Sequence, residues 1–361
     1  MSEGCVVFDL RYAGEHYPGV GRYATGLASA LLEAHPHWPW RVLMPRGKSP
    51  FDLGFVPAAV RVNAPLPAAG PAQFVLGARL RSLGAALYHS PYFLRPWNAG
   101  CPSIVTVHDT IPLEPGALSG TRRAIYRWLV ADALKAERVI TDTLAARQAI
   151  EREFARARPA AASTLAIAVV PPGVQIVMPS AEVPKWDRAM VLAVGINKPH
   201  KNLALLIEAL ALIPQARRPL LVCAGPVDAR YPDAISLARR WGIERDVRAL
   251  GRVPEERLAS LYLSATIFAT ATRAEGFGLP LLEAMALGVP AIASDLAVLR
   301  EVAGEAAVWA PLDDARAWAT AIERLLDDAP RRARLSALGL ERSKRFRYSA
   351  AAERLAAEYR E

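Results

Sequence analysis

Two sets of short β-rich runs, each alternating with helical patterns, lie either side of a stretch that holds four prolines between Val169 and Pro184. Strands that alternate with helices pair in parallel, because each crossover helix carries the chain back to the same edge of the sheet. The first set has candidate strands at 5–10, 40–44, 86–89, 103–108 and 138–141, with irregular surface and one short strand expected over 45–71. The second has candidate strands at 190–195, 219–224, 246–250, 267–271, 291–294 and 307–310. The expected fold is therefore α/β, with doubly wound domains at 1–170 and 188–345, a linker over 171–187 and a C-terminal helix over 346–361.

A chain of 361 residues, 52% of them hydrophobic, can bury two separate cores and suits strands covered on both faces. Cys5, Cys101 and Cys223 are an odd, widely spaced set beside apolar runs. They read as buried thiols in a reducing compartment, neither a disulfide framework nor a metal site. MSEGCVVFDL carries an acid ahead of a short apolar run, and some eighteen consecutive apolar residues occur nowhere, so a cytoplasmic chain without signal peptide or membrane span is expected. The net charge of +9 comes mostly from Arg scattered through helices that also carry Glu. Without a basic run interleaved with aromatics, a nucleic-acid groove is excluded. Two readings of the charge stay open: a solvated Arg-rich surface, or weak attraction to phosphate-bearing acceptors or to an anionic membrane at its inner face.

The richest motif is AEGFGLPLLEAMALGVP, Ala274 to Pro290, in which Glu275 and Glu283 flank a glycine-rich turn that opens a helix. Gly276 and Gly278 let the backbone bend and approach a ligand, and Pro280 suits a first helical turn whose unpaired N–H groups favour an anion such as phosphate. Glu283 is a lone charge among Leu281, Leu282, Ala284 and Met285, a place the core would not choose for it. Gly288 and Pro290 end the helix.

This string resembles the retaining glycosyltransferases of family 4, which have the GT-B fold: two Rossmann-like doubly wound domains facing each other across a cleft. The resemblance implies that Glu283 binds the donor's ribose hydroxyls and that Glu275 sits beside the transferred sugar. It also implies that the amides of Phe277, Gly278 and Leu279 meet sugar and diphosphate. In the loop after Gly195, INKPHKN, Lys201 matches the family lysine on the diphosphate. Ile196 stands where Arg is common, and His200 occupies the place where a subgroup puts its second cation. Gly251-Arg252-Val253 matches the segment whose backbone reads the nucleotide base. Arg273 reads as a substrate contact peculiar to this chain.

In the first domain GEHYPGVGRY, Gly14 to Tyr23, forms an expected loop before a helix at 24–34, and it lacks the third glycine of a dinucleotide motif. It resembles the GxGRY loop of family members that transfer mannose, rhamnose or fucose, which implies Gly19 against the diphosphate and Arg22 near donor or acceptor. TVHDTIP resembles the HD-x-x-P segment, implying that His108 reaches the transferred sugar and Asp109 braces the loop. His89 in YHSPY is an acceptor-side candidate.

No Asp-x-Asp pair occurs, so neither a metal nor another cofactor is expected on the diphosphate. The charge of the departing nucleotide would fall to Lys201, the amides of the turn and the helix behind it. The resemblance implies a retaining enzyme that moves a hexose-type sugar from a nucleotide-diphosphate sugar, GDP-mannose-like or a UDP-sugar, to a glycan, lipid-linked or small-molecule acceptor. A non-catalytic GT-B scaffold binding nucleotide sugar, a GT-B epimerase and a phosphorylase are the rival readings.

Overall fold

A computed structural model of the chain describes residues 4–14, 18–45, 49–64, 69–114, 118–155, 167–177, 179, 183 and 185–360. Glu15, His16 and Tyr17 of the expected glycine-rich loop, and most of 178–184 in the expected linker, lie outside the described residues. The chain divides into two units, Met1–Gly173 with Phe346–Glu361, and Val174–Arg345.

In the first unit β1 (Cys5–Asp9), CVVFD, is buried at every position, as a strand covered on both faces must be. It pairs in parallel with β2 (Trp40–Met44), which is followed by β3 (Arg61–Asn63). On its other side come β4 (Ala85–Ser90), β5 (Ser103–Thr106), β6 (Arg138–Thr141) and β7 (Ile167–Val169). Among the described residues the sheet order is β3-β2-β1-β4-β5-β6-β7, with every pair parallel. The helices are α1 (Pro18–Ala34), α2 (Ala72–Ser82), α3 (Gly120–Ala133) and α4 (Leu144–Ala155).

Two sequence expectations need correction here. The edge strand β7 was not foreseen, because three residues ahead of Pro171 and Pro172 are too short a run to show a period. The GxGRY segment is not a loop but the start of α1, with Pro18 in its first turn, where a missing N–H costs nothing. Gly21 within it is a close-packing site, since a Cβ there would lie 2.4 Å from the Phe51 ring.

The second unit repeats the plan with β8 (Met190–Val194), α5 (Leu203–Leu212), β9 (Leu220–Ala224), α6 (Ala234–Arg240), β10 (Val247–Gly251) and α7 (Glu255–Ser264). Then follow β11 (Ile267–Thr270), α8 (Leu279–Ala286), β12 (Ala291–Ser294), α9 (Ala297–Ala303) and β13 (Ala307–Ala310). The parallel order is β10-β9-β8-β11-β12-β13. Its core gathers Leu206, Ile207 and Leu210 of α5 around the fully buried Trp318 of α10 (Ala315–Asp327). Burying one such side chain contributes about 1.5–3 kcal/mol. After α11 (Ala329–Ser343) the chain reaches α12 (Tyr348–Glu358), which belongs to the first unit. Ala352, Leu355 and Ala356 of α12 join Leu27 and Leu31 of α1 in one core. The three cysteines are free thiols, Cys5 buried but Cys101 and Cys223 only half-buried, less than the sequence suggested.

Gly26 lets α1 and α12 touch, because a Cβ at that position would lie 2.3 Å from the Tyr348 ring. Gly26→Ala is expected to cost about 1–3 kcal/mol through this overpacking. Urea denaturation measures it, and an unshifted midpoint would contradict the close α1–α12 approach.

Candidate active site

In the second sheet the order reverses between β8 and β11, so the connections leaving the carboxyl ends of these strands part to opposite sides. The loop after β8 runs from Gly195 through a 3-10 turn, Pro199–Lys201, to Asn202, a non-glycine residue in left-handed geometry with φ of 51°. Asn202 Nδ2 holds that turn by donating to the Leu312 carbonyl at 3.0 Å. Asn197 Nδ2 donates to the carbonyls of Asp228 and Tyr231, and its Oδ1 accepts the Asp228 N–H at 2.6 Å. The loop after β11 is stitched to this one. Arg273 N donates to the His200 carbonyl at 2.6 Å, and the buried Thr272 hydroxyl lies 2.9 Å from the same oxygen. Lys201 Nζ then donates to Glu275 Oε1, an ion pair whose side chains are 21% and 12% exposed.

Beyond Glu275 the backbone turns into α8 at Gly278, whose φ of 95° is left-handed and whose absent Cβ would lie 2.6 Å from Leu299 Cδ2. Gly276, Phe277, Gly278 and Leu279 thereby lie at the amino end of α8, where the helix dipole is positive. Glu283, one turn further, is buried. Tyr262 Oη of α7 donates to its Oε2 at 2.9 Å and lies 3.2 Å from the Pro280 carbonyl. The Gly251 carbonyl at the end of β10 accepts the Gly225 N–H, while Arg252 is exposed and Val253 half-buried.

Two expectations for this loop change. His200 is no second cation: burial, then the neighbouring Lys201 charge, lowers its pKa to about 4, so the ring is neutral near pH 7. Its carbonyl, not its ring, joins the two loops. Arg273 turns outward to an exposed pair with Asp313 at 2.7 Å. Ile196 offers no charge in their place.

In the first unit the corresponding reversal falls between β1 and β4. Here Arg11 donates from Nε and Nη2 to the Asp9 carboxylate at 2.9 and 2.6 Å, and Tyr88 Oη donates to Asp9 Oδ2 at 2.6 Å. All three residues are buried. His89, the expected acceptor-side residue, is also in the core, with no exposed surface. Nδ1 lies 2.6 Å from Tyr359 Oη and Nε2 3.3 Å from Thr106 Oγ1. Burial, then the charge of His108, lowers its pKa to about 3. It is a neutral packing residue and cannot meet an acceptor.

His108 has both ring nitrogens engaged, Nδ1 2.7 Å from Asp142 Oδ2 and Nε2 3.0 Å from the Pro91 carbonyl. Both partners are acceptors, a setting that favours the doubly donating imidazolium. Burial opposes that charge, but Asp142 and the Pro91 carbonyl outweigh it and raise the pKa. Tyr23 of α1 packs edge-on against the ring at 4.7 Å. Asp109 Oδ1 caps the next turn by accepting the Ile111 N–H at 2.9 Å. Gly19 is exposed in the first turn of α1, and Arg22 is half-buried with its carbonyl accepting from Tyr348 Oη.

Lys201 and Glu275 are therefore brought into contact, with Glu283 one helical turn past the glycine turn. Tyr262, Asn197, Thr272 and Asp142 escaped the sequence reading because each acts through a partner distant in sequence, and no local motif marks them. Among the described residues no three His, Cys, Asp or Glu side chains gather as a metal site requires, and no helix is long and apolar enough to cross a membrane.

Two parallel-sheet α/β units of this order make the GT-B fold. Sucrose-phosphate synthase from Thermosynechococcus elongatus superposes with a TM-score of 0.77 at 22% identity, covering 99% of this chain and 98% of that one. WaaG, a glycosyltransferase involved in lipopolysaccharide biosynthesis, gives 0.72 at 17% identity over 97% and 98%. Anabaena HepE in complex with UDP and glucose gives 0.70 at 19% identity over 99% of each chain. Residues 179–342, which include the motif from Ala274 to Pro290, match the family of glycosyl transferases group 1. The O-antigen chain mannosyltransferase B of Escherichia coli is 36% identical over 167 residues, 43% of this chain and 41% of its own length. The D-inositol 3-phosphate glycosyltransferase of Corynebacterium diphtheriae is 35% identical over 165 residues, 45% of this chain and 39% of its own. The chain thus spans about two fifths of the length of these curated relatives.

The His108 geometry gives a pH-dependent expectation. A histidine pKa raised in the folded state contributes stability fully present below the unfolded value of about 6.5 and lost as pH rises through the folded value. Asp142→Asn removes the charge partner and should bring the His108 pKa down. Titration of the histidine Cε1–H resonances checks this, and an unmoved His108 midpoint would contradict the ion pair.

Proposed function

We propose that the protein is a retaining glycosyltransferase that moves a hexose-type sugar from a nucleotide-diphosphate sugar to a hydroxyl of a glycan, lipid-linked or small-molecule acceptor. The observation that carries this reading is the Lys201–Glu275 pair beside the amino end of α8, at the strand-order reversal of the second sheet. A diphosphate arriving there takes Lys201 from Glu275. The freed carboxylate then faces the sugar hydroxyls. As the bond between C1 and the phosphate oxygen breaks, negative charge collects on the departing nucleotide, and Lys201, the turn at Gly276 to Leu279 and the α8 dipole are already aimed at it. The acceptor oxygen bonds to C1 on the same face, and its proton passes to the leaving phosphate oxygen. Glu283 accepts the ribose hydroxyls. His108, held between Asp142 and the Pro91 carbonyl with its pKa raised, favours a positive charge in the first unit over the role of a base.

No metal or other cofactor takes part in this scheme. The similarity to a mannosyltransferase supports a GDP-mannose-like donor, and the UDP and glucose bound to HepE keep UDP-sugars in the same assay. The net charge of +9 supports a cytoplasmic enzyme with weak peripheral attraction to an anionic membrane.

Thermal-shift screening of GDP- and UDP-sugars selects the donor, since a bound donor raises the melting temperature by mass action. Turnover with that donor should persist in EDTA, and Lys201→Ala should lower kcat by roughly 10². Activity lost in EDTA and restored by Mg²⁺ would refute the metal-free site. Donor binding without turnover would assign a scaffold, and donor conversion without acceptor an epimerase.

Glu283→Gln keeps the shape and removes the charge. Charged hydrogen bonds contribute about 1.5–3 kcal/mol, so donor affinity should fall about tenfold or more. A 2′-deoxyribose donor should lose a similar amount with the native protein and little more with the variant. Fully additive losses in calorimetry would remove Glu283 from the ribose site.

A further inference from the structure

α2 and α3 of the first unit carry large apolar side chains on their outer surface. Phe74 is 55% exposed, Ile125 53% and Trp128 50%. Trp97 links them, with its ring centroid 5.0 Å from Phe74 and 5.8 Å from Trp128. Its polar edge is turned inward, Nε1 donating to Asp132 Oδ2 at 2.8 Å, and its backbone N–H is tied to the Gln73 carbonyl of α2. The aromatic surface is thereby fixed to both helices. On α3, Arg122, Ile125 and Trp128 follow one another at intervals of three and share a face. Across α2 and α3 stand five arginines, Arg79, Arg81, Arg122, Arg123 and Arg127, the last paired with Glu153 of α4, against one acid of these two helices, Asp132, which is buried and paired with Arg95.

We propose that this face seats the protein on an anionic lipid bilayer, with Phe74, Ile125 and Trp128 entering the headgroup boundary and Arg79, Arg81, Arg122 and Arg123 meeting lipid phosphates. Aliphatic and aromatic side chains on helices that also carry arginines match the composition of surfaces that lie in such an interface. A carbohydrate platform would need a flat aromatic shelf, whereas the Trp97 ring stands at 76° to Phe74 and at 86° to Trp128. The proposal names the surface behind the weak membrane attraction above and rests on that part of the reading, not on sugar transfer.

The test is sedimentation of the full chain with vesicles of phosphatidylcholine and phosphatidylglycerol, and with phosphatidylcholine alone. The protein should partition to the anionic vesicles and release at high salt. Arg122→Gln should weaken partitioning about fivefold, the factor expected for one arginine near an anionic surface. The Phe74→Ala, Trp128→Ala double variant should weaken it further, with the melting temperature and turnover of a soluble acceptor unchanged. Absent binding by the native chain, or equal binding by folded variants, overturns the proposal. A concentration-dependent dimer that the double variant renders monomeric also overturns it, by giving the face to a second copy. Vesicle binding that persists in a protein without donor turnover refutes the transferase reading alone.

Discussion

A parallel sheet sends every connection out at one edge, and a ligand-sized opening arises only where two neighbouring connections leave for opposite faces. In the second unit that constraint falls between β8 and β11. The loops that must separate there are held to each other at one oxygen, the His200 carbonyl, which receives both Arg273 N–H and the Thr272 hydroxyl. That junction fixes where Lys201 ends its turn and where Glu275 begins the approach to α8. Asn197 and Asn202 tie the first loop to backbone carbonyls of distant segments, Asp228 and Leu312, and so fix the frame that carries Lys201.

The first unit meets the same constraint and fills it with protein. Asp9, Arg11 and Tyr88 close the reversal between β1 and β4 with a bidentate, fully hydrogen-bonded pair. Losing one member of such a pair costs about 3–5 kcal/mol, because the other charge stays buried without compensation. The nearby histidines divide their roles by environment. His89, enclosed by Phe8, Thr106 and Tyr359, is kept neutral, and its neutrality spares His108 a like charge. His108, between a carboxylate and a carbonyl, has its pKa raised. The terminal helix takes part in this, since Tyr359 lies just beyond the end of α12 and Tyr348 packs over Gly26.

Within α8 the physics of Glu283 is instructive. Its helix is apolar at Leu281, Leu282, Ala284 and Met285, so burial of the segment takes the carboxylate with it. A buried carboxylate needs donors, and Tyr262 supplies one from α7, across from the glycine turn. The carboxylate is consequently positioned before any ligand arrives.

The sequence by itself determined the parallel α/β plan, because alternating β runs and helical patterns admit few other pairings, and it marked Glu275 and Glu283 because glycine turns and lone charges in apolar helices are local anomalies, whereas Lys201 stood out only by the resemblance of its loop to the family's. It misread Gly19 and Gly21 as loop residues where both lie in α1, and Gly21, needed for close packing against Phe51, looks the same in sequence as a glycine needed for a turn. Only the tertiary structure decided that His89 is core, that His200 is neutral and that Arg273 faces Asp313. It also decided that Tyr262, Thr272, Asn197 and Asp142 hold the charged groups in place. The physical reason is common to all of these: solvation and hydrogen-bond partnership depend on neighbours brought from elsewhere in the chain, and a pattern read along the backbone contains no information about them.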